Sequence, residues 1–124
     1  MNTFFLFFAA AAGIITTAGH VFVGGKNSAG PVLNAASSLQ APRTTVAFAW
    51  HAASVFLIAV TAIYLFSAIT GSGRSLVLVT TVHCGVLTGL SAIMAAQGGL
   101  RVITFPPFGL FGAITGFGAM GVWI

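Results

Sequence analysis

The chain has 124 residues, 58% of them hydrophobic, with four Lys or Arg, no Asp and no Glu, giving a net charge of +4. A soluble domain carries about a quarter charged residues, so a chain that is 3% charged belongs in lipid. With no side-chain carboxylate, Mg²⁺ or Ca²⁺ sites, glycosidase pairs, Ser-His-Asp triads, an H-E-x-x-H zinc site and carboxylate-coupled proton or sodium transport are all excluded.

A bilayer core about 30 Å thick needs about 20 uncharged apolar residues per helical crossing. Four stretches meet that length, which predicts an all-α, four-transmembrane-helix bundle as a single membrane domain over 1–124. The first runs from about Thr3 to Gly24 and is closed by Gly24-Gly25. No basic residue precedes it, and Ala9 to Ala12 lie in a run continuing to Val23, so it reads as a span rather than a cleaved signal peptide. A loop of about 19 residues, 25–43, follows; its middle, Pro31-Val32-Leu33-Asn34-Ala35-Ala36, is too apolar for a solvated linker and is expected along the interface or folded back on the bundle. The second span runs from about Thr44 to Ile69, the third from about Ser75 to Ala96, with Gly71-Ser72-Gly73 and Gly98-Gly99 as breakers. Thr104 reads as an N-cap for the fourth span, to Ile124, with Pro106-Pro107 in its first turn. The spans lack the alternation and shortness of barrel strands.

Lys26, Arg43 and Arg101 fall on one side and Arg74 on the other, which turns the first three to the cytoplasm and both termini to the periplasm of a bacterial inner membrane. The same three residues are candidates for contact with anionic lipid or an acidic partner.

Helices in lipid associate through small residues and close packing. Gly85 and Gly89 on the third span, Gly109, Gly112 and Gly116 on the fourth, and Ala9 with Gly13 on the first are the expected packing positions. Twelve Phe exceed what so slender an interior can hold, so many must face lipid, a lipophilic pigment or another subunit. Trp50, Tyr64 and Trp123 are expected in an aromatic belt.

Intramembrane histidines are the natural functional candidates. His20 lies about four residues and His51 about seven from the same end of their spans, within ~5 Å in depth, so they can meet; His83 lies near the middle, ~9 Å from His51 in depth, and cannot complete a compact three-histidine metal site. The alternatives are structural glue through the hydroxyls of Thr16, Thr17, Ser54, Thr80 and Thr81, ligation of haem or (bacterio)chlorophyll by His20, His51 or His83, and substrate contact. Gly85 and Gly89 leave room near His83 for a macrocycle or a helix. No catalytic residue is expected, because Cys84 beside His83 resembles a nucleophile and base in sequence only and points about 100° away, and no metal is expected, because Met94 and Met120 are too scattered for copper.

Gly19-His20, Gly24, Pro31-Val32-Leu33, Ala49-Trp50-His51 and Phe105-Pro106-Pro107-Phe108 together resemble a pattern of small uncharacterised bacterial four-helix integral membrane proteins with G-H, P-x-L and W-H motifs. The acidic residue that often follows their first-loop glycine is missing here. The resemblance implies pairing of His20 with His51 and supplies no activity.

Three functions follow as expectations. The first is a non-catalytic accessory subunit of a larger bacterial membrane complex, respiratory or photosynthetic. The second is a haem- or chlorophyll-binding electron-transfer protein, and the third a small oligomeric transporter. The expected partners are the lipid bilayer and other membrane subunits, not nucleic acid.

Overall fold

Capping and glycine geometry divide the chain into helices. The computed structural model describes residues 1–35 and 40–124, and no strand occurs among them. Asn2 caps α1 (Thr3–Ala18), its side-chain oxygen accepting from the Phe4 N–H at 3.1 Å. The helix continues without a break into a π-helical segment (Gly19–Ala29) and α2 (Gly30–Ala35). Then follow α3 (Gln40–Thr70), α4 (Arg74–Gln97), a 3₁₀ turn (Val102–Thr104) and α5 (Pro106–Trp123). Thr3–Ala35, Pro42–Thr70 and Arg74–Gln97 are each long and apolar enough to cross a membrane. α5 has 18 residues, and its two prolines and Gly109, Gly112, Gly116, Gly118 and Gly121 dilute its apolar content.

Two of the three glycine breaks fall where expected. Gly71, Gly73 and Gly99 have φ of 67°, 83° and 69°, a left-handed backbone that other residues rarely adopt. Gly24-Gly25 does not end its helix. Gly24 serves a close approach instead: a Cβ there would lie 2.8 Å from the ring edge of Trp50. The expected loop 25–43 is therefore helical over 25–35 and again from Gln40, which puts Arg43 in the first turn of α3; Ala36 lies outside the described residues. The N-cap of α5 is Phe105, in extended conformation, one residue beyond the expected Thr104, whose hydroxyl donates to the Arg101 carbonyl at 2.9 Å.

Close contacts fix the helix directions. Gly13 meets Thr61 and Gly24 meets Trp50, so α1 and its extension run antiparallel to α3. Gly85 meets Thr115 and Gly112 meets Thr88, so α4 and α5 are antiparallel. The Asn2 N–H donates to the Gly121 carbonyl at 2.7 Å, tying the start of α1 to the end of α5. Lys26, Arg43 and Arg101 consequently gather at one end, and both termini with Arg74 at the other.

Leu6, Val60, Tyr64, Val77, Cys84 and Ile114 form the interior with Ala9 and Ala10. None of the twelve Phe is buried. Tyr64 is completely buried rather than in a belt, and its hydroxyl lies 2.8 Å from Thr81 Oγ1. Because Thr81 gives its own proton to the Val77 carbonyl, Tyr64 is the donor. Gly118 makes room for this pair, since a Cβ there would be 2.5 Å from the tyrosine oxygen.

Candidate functional site

Hydroxyl chemistry inside the helices is largely self-contained. Thr16, Thr17, Ser54, Thr80 and Thr81 each donate to the carbonyl four residues back, at 2.7, 2.8, 3.1, 2.8 and 2.8 Å. None bonds a histidine, so the expected hydroxyl glue does not form. Thr88 and Thr115 likewise give their protons to Cys84 and Phe111, and their 3.4 Å approach is a contact rather than a hydrogen bond.

The three histidines occupy three environments. His20, half-buried at the start of the π segment, stacks on Trp50 with ring centroids 3.9 Å apart and planes inclined by 18°. Its Nε2 lies 3.2 Å from the Trp50 carbonyl. A carbonyl only accepts, so Nε2 carries the proton and Nδ1 of the neutral ring is an acceptor. His51 is the next residue along α3, turned about 100° from Trp50, and is exposed. The ring that His20 meets is therefore that of Trp50, the neighbour of the expected His51.

His83 is also exposed, on the outward face of α4 with Val79, Val82, Val86 and Leu90, while Cys84 beside it is buried. His83 Nδ1 is 3.0 Å from the Val79 carbonyl, so Nδ1 holds the proton and Nε2 is an acceptor with no partner among the described residues. No group of three His, Cys, Asp or Glu able to hold a metal exists among the described residues.

A cavity of about 750 Å³ opens at the end that carries Lys26 and Arg101. The π segment, α3, α4 and the start of α5 enclose it. His20, Trp50, Asn27 and Ser28 stand on its wall, and Phe56, Leu57, Leu110 and Phe111 make it largely apolar. Phe105, Pro106 and Pro107 form a rim whose backbone the prolines stiffen.

The expected packing glycines divide. A Cβ at Gly85 or Gly112 would lie 3.5 or 3.7 Å from the facing threonine methyl, whereas Gly89, Gly109 and Gly116 have nothing within 4 Å of a Cβ position. The tight positions are Gly13, Gly24, Gly118 and Gly121, the last against Leu6. Gly118 and Gly121 carry no G-x-x-x-G spacing between them; their signal is the density of glycine on one short helix. Lys26, Arg43 and Arg101 are exposed.

No family model, no curated protein and no solved structure matches the chain.

Proposed function

We propose that the chain is a four-transmembrane-helix protein of a bacterial inner membrane, with both termini periplasmic, and that it is a non-catalytic accessory subunit docked through α4 to a larger membrane complex of the respiratory or photosynthetic kind. His83 carries the reading. Polar side chains within membrane spans almost always face protein or a water-filled cavity, because hydrocarbon offers no hydrogen bond. His83 turns an unpartnered acceptor outward from a wall of valine and leucine, near the middle of an apolar helix. A donor on another subunit satisfies it. The surrounding surface is as apolar as lipid or an apolar partner surface requires: Phe48, Val55 and Phe66 on α3, and Val82, Val86 and Ile93 on α4, are all more than half exposed.

The His83 geometry also favours a second reading. An imidazole whose N–H is tied to a backbone carbonyl presents its other nitrogen as an oriented ligand. A haem or (bacterio)chlorophyll held at an interface by His83 alone would use that nitrogen.

Extraction from native membranes in mild detergent, followed by native mass and absorption spectrum, tests both readings. Comigration with a large assembly, lost in His83→Phe, is the expected result. Migration as one or two copies refutes the subunit reading; a Soret or near-infrared band abolished by His83→Phe replaces it with the cofactor reading.

A further inference from the structure

His20 and Trp50 both line a largely apolar chamber, and each ring carries a polar atom with no partner among the described residues. We propose that the cavity of about 750 Å³ binds a neutral, hydroxyl-bearing aromatic lipophile of the phenol or quinol class, its O–H donated to His20 Nδ1 and its chain lying along Phe56, Leu57 and Leu110. The proposal rests on the membrane reading only in that such a molecule reaches the site by dissolving in the bilayer.

The polarity of the head group follows from the tautomer. The Trp50 carbonyl fixes the proton on His20 Nε2, so Nδ1 seeks a donor, and it finds none among the described residues. A ketone or ester oxygen cannot satisfy it, but a hydroxyl can. The indole N–H of Trp50, on the ring stacked against His20, is a donor with no partner among the described residues, and it can return a hydrogen bond to the same ligand oxygen. Among the described residues no charged side chain lines the cavity, and Lys26 and Arg101 stand outside it, which favours a neutral head over a phosphate.

Shape agrees with chemistry. The volume falls within the ~300–1,000 Å³ of small-molecule sites, and such sites pair apolar walls with a few placed polar groups. Aromatic faces from Phe56, Phe111 and Phe105 suit a flat ring. The site is also pre-formed: Gly24 lets the Trp50 ring close down on the π segment, and π-helical turns recur at functional sites. Little ordering is then required on binding.

The test reads Trp50 directly, in a Trp123→Phe chain in detergent micelles. A p-alkylphenol with a brominated chain is titrated beside its methyl ether, bromine quenching the indole on contact. Saturable quenching at a concentration about three- to tenfold lower for the phenol than for the ether is expected, the value of one neutral hydrogen bond, and His20→Phe should remove the difference. Equal concentrations for phenol and ether with His20 present overturn the proposal without relying on how the variant folds. Quenching that never saturates, as for simple partitioning into micelles, also overturns it. So does preferential quenching by brominated phosphatidylglycerol, which would assign the cavity to an anionic lipid. None of these outcomes touches the comigration result, so the two readings fail separately.

Discussion

Adding one methyl group at Gly118 should disrupt a tightly packed part of the interior. A Cβ there would stand 2.5 Å from the Tyr64 oxygen, 2.6 Å from Thr81 Oγ1 and 3.0 Å from Tyr64 Cε1, and both partners are buried with no space to retreat. Overpacking a core costs about 1–3 kcal/mol. Separating the buried Tyr64–Thr81 hydrogen bond costs about 1–3 kcal/mol more, and replacing Gly by Ala in a helix returns about 0.5–1 kcal/mol. Gly118→Ala should therefore lose about 1–5 kcal/mol, read by unfolding titration in mixed detergent and dodecyl sulfate micelles. Gly116, two residues away on α5, has nothing within 4 Å of its Cβ position, and Gly116→Ala should be neutral or gain about 0.5–1 kcal/mol. Adding Tyr64→Phe to Gly118→Ala removes the nearest clashing atom, so the double variant should be less destabilised than the sum of the two single variants. Equal stabilities for Gly118→Ala and Gly116→Ala would refute the packing described here.

Other positions give sharper local readouts. Gly24→Ala pushes against the Trp50 ring edge at 2.8 Å and should shift Trp50 emission in a Trp123→Phe background, whereas Gly25→Ala, with nothing within 4 Å, should leave it unchanged. His20→Ala should cost about 1 kcal/mol through the lost ring stack, while His51→Leu should stay within about 0.5 kcal/mol because His51 is exposed; the same micelle titration checks both, and a large loss from His51→Leu would contradict its placement. A protease site fused to either terminus should be cut in intact spheroplasts, and cutting only after lysis would reverse the orientation proposed from Lys26, Arg43 and Arg101.

Composition alone yields an all-helical chain with long apolar segments, because the absence of acids and the length of the apolar runs do not depend on tertiary contacts. The breaks at Gly71, Gly73 and Gly99 are legible for the same reason: left-handed backbone is a local requirement. Gly24 is not legible, since a glycine in sequence looks the same whether it ends a helix or yields to a neighbouring ring. Counting residues from a span end gives depth, and on that measure His20 and His51 are matched. It gives no azimuth, and a rotation of about 100° between Trp50 and His51 decides which ring His20 meets. The W-H pair thus holds the correct partner beside the expected one. Tyr64 escapes for a related reason, because one phenol among aliphatic residues becomes an interior donor only when Gly118 and Thr81 converge from two other helices.

The position of the cavity follows from where the small residues are close-packed. Gly109 and Gly116 are exposed, but the inward glycines of α5 tighten toward the C-terminal end: a Cβ at Gly112 would lie 3.7 Å from a threonine methyl, Tyr64 presses on Gly118, and Leu6 fills the place beside Gly121. The Asn2 to Gly121 hydrogen bond clamps that end further. At the opposite end the first helix widens into its π segment, and α5 begins with two prolines that donate no N–H. Helices pinned at one end and spread at the other must enclose space at the spread end, and Thr16, His20, Asn27, Ser28 and Trp50 bring polar groups to its lining. Filling that space by Ala53→Leu, on the cavity wall, should therefore be tolerated in unfolding titrations where Gly121→Leu is not, and equal tolerance at the two positions would mean that the helices are not spread as the cavity requires.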